Sequence, residues 1–259
     1  MLKVIDGKGI AEEIKKELLN RKAPERFFAA IQIGENEASA RFVERKKKFA
    51  EGLGVEFKTF KLSEEIGKDR IEEAIGYLAR EEECGSIMIQ LPLPSFIDKG
   101  ILSIIPPDKD ADALSGRSLV LPPSVLVVKE IIEREEADIQ NSVIAIVGLG
   151  SLVGQPVSEW ANKKFKEVIV LDKGDSKEKV RSADIVVLGA GDKGIISPEM
   201  LKDNSMVIDF GCSFDESGKI CGDFDPQETE KDIAYTPTPG GTGPILIAKL
   251  FENFYSLNE

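Results

Sequence analysis

Ile144-Ala145-Ile146-Val147-Gly148-Leu149-Gly150-Ser151-Leu152-Val153-Gly154-Gln155-Pro156 is the stretch that decides the fold. Its four apolar residues read as a buried strand, its glycines as a turn, and the residues from Leu152 to Lys163 as a helix. Gly148 permits the tight turn. Gly150 lets a pyrophosphate approach the backbone N–H groups at the helix N-terminus, where the helix dipole favours an anion. Gly154 lets helix and strand pack closely, and Pro156 is tolerated in a first helical turn. Asp172 closes the next apolar run, Glu167–Leu171, about where a ribose-binding acid belongs. The spacing is GxGxxxG rather than GxGxxG, so the reading as a dinucleotide site rests on context: strand before, helix after, acid beyond. Without a ligand the same residues are a structural glycine turn and a solvated strand end.

Outward from this turn, the second half alternates strand and helix. Strands are expected at Ser142–Val147, Glu167–Leu171, Asp184–Leu188, Met206–Phe210 and Ala234-Tyr235. A short helix is expected over Ser176–Arg181, and the last helix, Pro244–Leu257, follows the turn-rich TPTPGGTGP. The first half repeats the alternation. Strands at Phe27–Ile33, Val55–Leu62 and Ser86–Leu91 are separated by helices at Ala38–Gly54, capped by Asn36, and at Glu64–Glu83. A helix over Ile10–Leu19 precedes them, and a short one over Asp98–Ile105 follows. Ser124–Glu136 reads as a helix joining two domains, with the boundary near Ser115–Pro123. The order implies an α/β fold of two domains with parallel sheets, the second Rossmann-like.

The composition, 42% hydrophobic and 31% charged, is that of an ordinary globular chain. No apolar run reaches the ~18 residues of a membrane span, and the N-terminus lacks a signal-peptide core, so the cytoplasm is the expected location. Cys84, Cys212 and Cys221 form no metal or disulfide pattern. The chain has no histidine, which excludes His-based triads and ligands and leaves proton transfer to other groups. A net charge of −12 argues against a nucleic-acid surface. Against that background the cluster Arg41, Arg45, Lys46, Lys47 and Lys48 stands out, either as a solvated helix face or as an attractor for an anionic ligand.

In the helix over Ala38–Gly54, the residues Phe42, Val43, Phe49, Ala50 and Leu53 form one apolar stripe, and Lys46 falls in its middle. A lysine there either snorkels to water or is desolvated enough to serve as a base near neutral pH. Gln90 stands at the carboxyl end of an apolar strand, the edge where α/β sheets bind ligands, and its amide can orient a lysine or simply bond loop backbone. Asp112 lies in the acidic loop PPDKDAD.

Taken in order, IDGKGIA (from Ile5), GENEASARFVERKKK (from Gly34), QLPLP (from Gln90), PPDKDAD (from Pro106), GLGSLVGQP (from Gly148), VIDFG (from Val207), GDFD (from Gly222) and TPTPGGTGP (from Thr236) resemble the bifunctional methylenetetrahydrofolate dehydrogenase/methenyltetrahydrofolate cyclohydrolase family across nearly the whole chain. The resemblance implies a folate-binding catalytic domain over residues 1–117, completed by the helix at 244–259, and an NAD(P)-binding domain over 118–243. The active site would lie in the cleft between them. It implies oxidation of 5,10-methylenetetrahydrofolate with NADP, or NAD in some branches, and hydrolysis of the methenyl product to 10-formyltetrahydrofolate. The partners implied are tetrahydrofolate derivatives and a second copy in a homodimer, with no nucleic acid, no membrane and no metal. Lys46 falls on the family's lysine, Gln90 on the glutamine that partners it, and Asp112 on the pterin-binding aspartate. Pro239, Gly240 and Gly241 fall on the segment lining folate and nicotinamide. Gly148, Leu149, Gly150 and Ser151 form the cofactor turn, with Cys212 also at a cofactor position.

The departures are specific. Phe42 stands where the family has tyrosine, keeping an aromatic wall without the hydroxyl needed for full likeness at the hydrolytic step. Leu121-Pro122-Pro123-Ser124 replaces a PCTP segment, and Ala113 a glycine. Asp172 stands where a contact to the 2′-phosphate is expected, with Lys173 beside it, so NAD and NADP both remain open. The other readings are a monofunctional dehydrogenase of the same family, a different two-domain dehydrogenase, and a dinucleotide-binding regulator without catalysis.

Overall fold

A computed structural model describes residues 1–259. In chain order its strands are β1 (Leu2–Val4), β2 (Phe27–Ile33), β3 (Phe57–Leu62), β4 (Cys84–Ile89), β5 (Val143–Val147), β6 (Glu167–Leu171), β7 (Ile185–Leu188), β8 (Ser205–Asp209), β9 (Ser213–Phe214), β10 (Ile220–Cys221) and β11 (Ile233–Tyr235). Its α-helices are α1 (Gly7–Leu19), α2 (Glu37–Glu51), α3 (Lys68–Arg80), α4 (Pro123–Arg134), α5 (Gly154–Ala161) and α6 (Thr242–Leu257). Two compact units result. One takes residues 13–123 and 247–259, the other 1–12 and 124–246. The first twelve residues thus group with the glycine-turn unit, where 1–117 was expected as one block. The reason is a long-range pairing: β1 lies parallel to β11, Leu2 opposite Ile233.

The 13–123 unit carries a parallel sheet of order β3-β2-β4. The central strand FFAAIQI is buried on both faces, which explains its unbroken apolar run. One face packs Phe27, Ala29, Ile31 and Ile33 against Ile71, Ile75 and Leu78 of α3. Toward the C-terminal helix, Phe28 stacks on Phe57 and meets Phe251 and Phe254 of α6, with ring centroids 5.3–5.4 Å apart. Asn36 caps α2 by accepting from the Ser39 amide at 2.9 Å. The helix ends at Glu51 rather than Gly54, because Gly54 adopts a positive φ of 71°. The single helix expected over Glu64–Glu83 is instead a 3-10 turn and α3, broken at Gly67. The segment after Asp98 is also 3-10 rather than α.

The other unit carries a six-stranded parallel sheet of order β1-β11-β8-β7-β5-β6. From β5 the chain moves to β6 on one side and to β7 on the other, so the strand order reverses between β5 and β7. Such a switch point opens a crevice outside the carboxyl ends of the strands. The helix after β5 starts at Gly154, not Leu152, and ends at Ala161. The hairpin β9–β10 is additional to the expected elements.

Candidate active site

The sheet of the 13–123 unit has its own reversal, between β2 and β4, and two expected residues meet at its carboxyl edge. Ser39, Val43, Lys46 and Ala50 form the buried face of α2, so Lys46 lies in the middle of the buried stripe. Lys46 is only 3% exposed, which rules out the snorkelling reading. Its Nζ donates to Gln90 Oε1 at 3.2 Å and to Met88 Sδ at 2.8 Å. It also stands 4.8 Å from the centroid of the Phe42 ring. Gln90 in turn donates Nε2 to the Leu91 carbonyl at 2.8 Å, which fixes the amide with its oxygen toward the lysine. Ser39 Oγ bonds that same carbonyl at 3.2 Å, tying α2 to the strand end.

The polar partners of the amine are thus a neutral amide and a thioether. Burial therefore pushes the Lys46 pKa below its ordinary range, opposed by the charge of Asp112. Asp112 keeps some accessible surface but is enclosed by protein on most sides. Desolvation pushes its carboxyl up, Lys46 pulls it down, and Asp110 adds to the rise. The two groups form an electrostatic pair in which each has a poorly solvated charge.

Several residues that carry the Asp112 loop were not singled out from sequence. Asp110, fully buried, accepts from the amides of Leu114 and Ser115 at 3.0 and 2.8 Å. Ser86 Oγ donates to the Lys109 carbonyl at 2.9 Å. Asn253 of α6 donates to the carbonyls of both Ala111 and Leu121 at 2.9 Å. Met88 was missed too; on an apolar strand, nothing in its identity marks it as a lysine partner.

The glycine turn lies in the other unit. Gly148 has φ +91°, and a Cβ there would lie 2.6 Å from the Ala190 backbone. A Cβ on Gly154 would collide with the Gly148 carbonyl. Before Gly150 the nearest atom to such a Cβ is the Gly189 carbonyl at 3.9 Å, so its face is open to a ligand. The Leu152 carbonyl accepts from Ser124 Oγ at 2.6 Å, anchoring the loop that contains Leu149 and Ser151. Asp172 stands exposed at the carboxyl end of β6. Its amide donates to Asp175 Oδ2 at 2.8 Å, and its carbonyl accepts from Lys177 Nζ at 3.0 Å, leaving its carboxylate outward. Cys212 is exposed, three residues beyond Asp209, the buried end of β8. An open glycine, an unobstructed turn and an outward acid fit a dinucleotide.

The Pro239-Gly240-Gly241 turn belongs to this same unit. Gly241 donates to the Pro237 carbonyl at 2.7 Å, and Gly240 has φ +105°. Thr242 Oγ1 donates to the Asp209 carbonyl at 2.7 Å. Lys46, Gln90, Phe42 and Asp112 are gathered in one unit, while the cofactor candidates and this turn are in the other. No group of three or more Asp, Glu or Cys side chains is arranged to hold a metal.

Comparison with known proteins agrees with this geometry. The family model for the tetrahydrofolate dehydrogenase/cyclohydrolase catalytic domain matches residues 5–112. The model for the NAD(P)-binding domain of the same family matches residues 122–259. The chain is 33% identical over 272 residues to the bifunctional protein FolD of Agathobacter rectalis, covering 98% of each. It is 34% identical over 279 residues to that of Mycoplasmopsis synoviae, covering 99% of each. The crystal structure of the bifunctional enzyme FolD from Campylobacter jejuni superposes with a TM-score of 0.92 at 31% identity, over 100% of this chain and 99% of that one. That of Trypanosoma brucei, complexed with NADP and an inhibitor, gives 0.90 at 29% identity, over 98% and 96%.

Proposed function

The chain belongs to the tetrahydrofolate dehydrogenase/cyclohydrolase family, and on that premise we propose which of its residues carry the two reactions. It is an NAD(P)-dependent enzyme of one-carbon metabolism. It oxidises 5,10-methylenetetrahydrofolate to the methenyl cation and hydrolyses that cation to 10-formyltetrahydrofolate. The bound dinucleotide supplies the hydride acceptor. Everything else falls to side chains. The observation that carries the assignment is Lys46, buried and held at 3.2 Å by an amide oxygen.

An amine whose pKa burial has lowered gives up its proton more readily than an ordinary lysine and, once neutral, can take a proton from water. As the water oxygen bonds to the methenyl carbon, Lys46 accepts its proton. The bond from that carbon to N5 then breaks, N5 is protonated, and one proton is released overall. Gln90 holds Nζ in line. Asp112 anchors the amino and ring N–H groups of the pterin, and Phe42 supplies an apolar wall. Exposed Arg45 and Lys48, on the outer face of α2, attract the glutamate tail. Gly148, Leu149, Gly150 and Ser151 receive the pyrophosphate, Cys212 borders it, and Pro239 to Gly241 line the nicotinamide. The working form is a homodimer in the cytoplasm, which light scattering on purified protein checks.

Lys46→Met tests the reading. Methenyl hydrolysis is expected to fall by at least about a hundredfold, within the range of general acid–base contributions, with the dinucleotide Kd unchanged. Unaltered hydrolysis returns the lysine to a packing role. Asp172 refines the cofactor: its outward carboxylate suits the ribose hydroxyls of NAD and repels a 2′-phosphate. Side-by-side kinetics should give the higher kcat/KM with NAD, and Asp172→Ser should narrow the gap. A preference for NADP in the unaltered enzyme would discard this role.

A further inference from the structure

Two buried carboxyl groups outside the folate site remain without a role. β8 ends in Asp209, and the GDFD segment supplies Asp223; the residues are 1% and 0% exposed. Asp223 Oδ2 accepts from the Ala190 amide at 2.7 Å and from the Gly191 amide at 3.0 Å. Its other oxygen, Oδ1, is buried with no hydrogen-bond partner, close against Gly211. Buried polar atoms are nearly always paired, so the position of this carboxyl calls for an explanation.

The loop that Asp223 holds is the wall of the glycine turn. Ala190 backbone atoms lie 2.6 Å from where a Cβ of Gly148 would be, and Gly189 O is the nearest neighbour of Gly150, at 3.9 Å from its would-be Cβ. Asp223 is itself fixed from both sides. Its carbonyl accepts from Ile196 N at 3.1 Å, and Asp209 Oδ2 accepts from the next amide, Phe224, at 3.0 Å. Asp209 Oδ1 accepts from Gly211, beside Cys212, at 2.7 Å. One carboxyl therefore grips the loop after β7 and the other the turn after β8, both on the crevice edge of the sheet.

We propose that Asp223 is a positioning residue for the dinucleotide: by taking two successive amides on one buried oxygen, it fixes the Gly189–Gly191 loop against the Gly148–Gly150 turn in the geometry that admits the pyrophosphate. The proposal rests on the dinucleotide reading of that turn. The acceptor matters more than the charge. Burial pushes the carboxyl up, the amides of Gly191, Ala190 and Asp192 pull it down, and the like charge of Asp192 adds to the rise. An amide oxygen in the same place serves as well.

Isothermal titration calorimetry with NAD and NADP, without folate, tests this. Absence of binding by the unaltered protein would fail the dinucleotide reading itself. Given that binding, Asp223→Ala is expected to raise Kd about tenfold or more, and Asp223→Asn, which keeps the double acceptor, to stay within about threefold. Hydrolysis of the methenyl substrate, assayed without dinucleotide, should change less than twofold in Asp223→Ala. Unchanged Kd in Asp223→Ala overturns the proposal, as does equal loss of binding and hydrolysis, which marks a merely structural residue. If Asp223→Ala does not fold, Asp223→Ser, which fills more of the space but leaves the amides unpaired, is read in the same way. Failure of both to fold assigns Asp223 to the core and overturns the role.

Discussion

Lys46 shows how little of a residue's chemistry lies in its identity. Periodicity places it on the buried face of α2, but cannot tell a snorkelling lysine from a desolvated one. What separates them is the company at the end of the side chain: Gln90 Oε1, Met88 Sδ and the Phe42 ring, brought together by strand pairing far away in sequence. With no carboxylate bonded to Nζ, the amine's pKa is lowered mainly by burial. Gln90→Glu would place a carboxylate at that 3.2 Å contact. An opposite charge that close moves a pKa by about 1–3 units, here upward for the lysine. The acid limb of the hydrolysis pH–rate profile should therefore shift to higher pH, and the rate at pH 7 should fall by about tenfold or more. A profile that does not move would show that Lys46 is not the titrating base. Phe42 has the opposite lesson. The sequence marks its missing hydroxyl, while the structure shows its ring face beside the ammonium, a contact that needs no hydroxyl.

At the scale of elements, most regular structure was legible because it is written in local periods. The unbroken apolar FFAAIQI gave β2 with its bounds, and Asn36 announced the start of α2. Errors fell where backbone geometry overrides pattern. Gly67, at φ +78°, cuts one expected helix into a 3-10 turn and α3. The two-residue strands β9 and β10 are too short to show a period. β1 escaped notice because it is three residues long, largely exposed, and made a strand only by pairing with β11, more than two hundred residues away. The same long reach governs α6. Its Asn253 binds the Ala111 and Leu121 carbonyls, so the end of the chain sets the loop that presents Asp112. Asn253→Ala would take this donor from the Ala111 carbonyl at a buried contact and from the Leu121 carbonyl at a half-buried one, at a cost of about 1–3 kcal/mol. The expected result is a lower unfolding temperature and a folate KM raised severalfold, with dinucleotide binding intact. Equal loss of both would mean that the helix supports the protein generally rather than this loop.

For the whole molecule, the candidate site was legible where ordered motifs carry it, and the supporting carboxyls were not, since an aspartate in VIDFG or GDFD looks like any strand-end acid. Those carboxyls set how stability responds to pH. Burial raises Asp209 from an ordinary 3.8 to about 6, with like-charged Asp223 adding to the rise and the amides of Phe224 and Gly211 opposing it. A group with a raised native pKa binds its proton more tightly folded than unfolded. Its stabilisation is therefore fully present below 3.8 and lost as pH rises through about 6. The shift corresponds to about 3 kcal/mol at most. Asp223 and Asp112 are raised as well and act with the same sign. Lys46 acts oppositely: its native pKa lies below 10.5, so its contribution is present above that value and lost as pH falls through the native one. Thermal unfolding should consequently occur at a higher temperature at pH 5 than at pH 7. Asp209→Asn, which does not titrate, should shrink that difference by several degrees. Two parallel melting series, one for each protein, decide it: equal pH slopes would show that Asp209 is ionised at its ordinary pKa and that its amide contacts, rather than its burial, dominate.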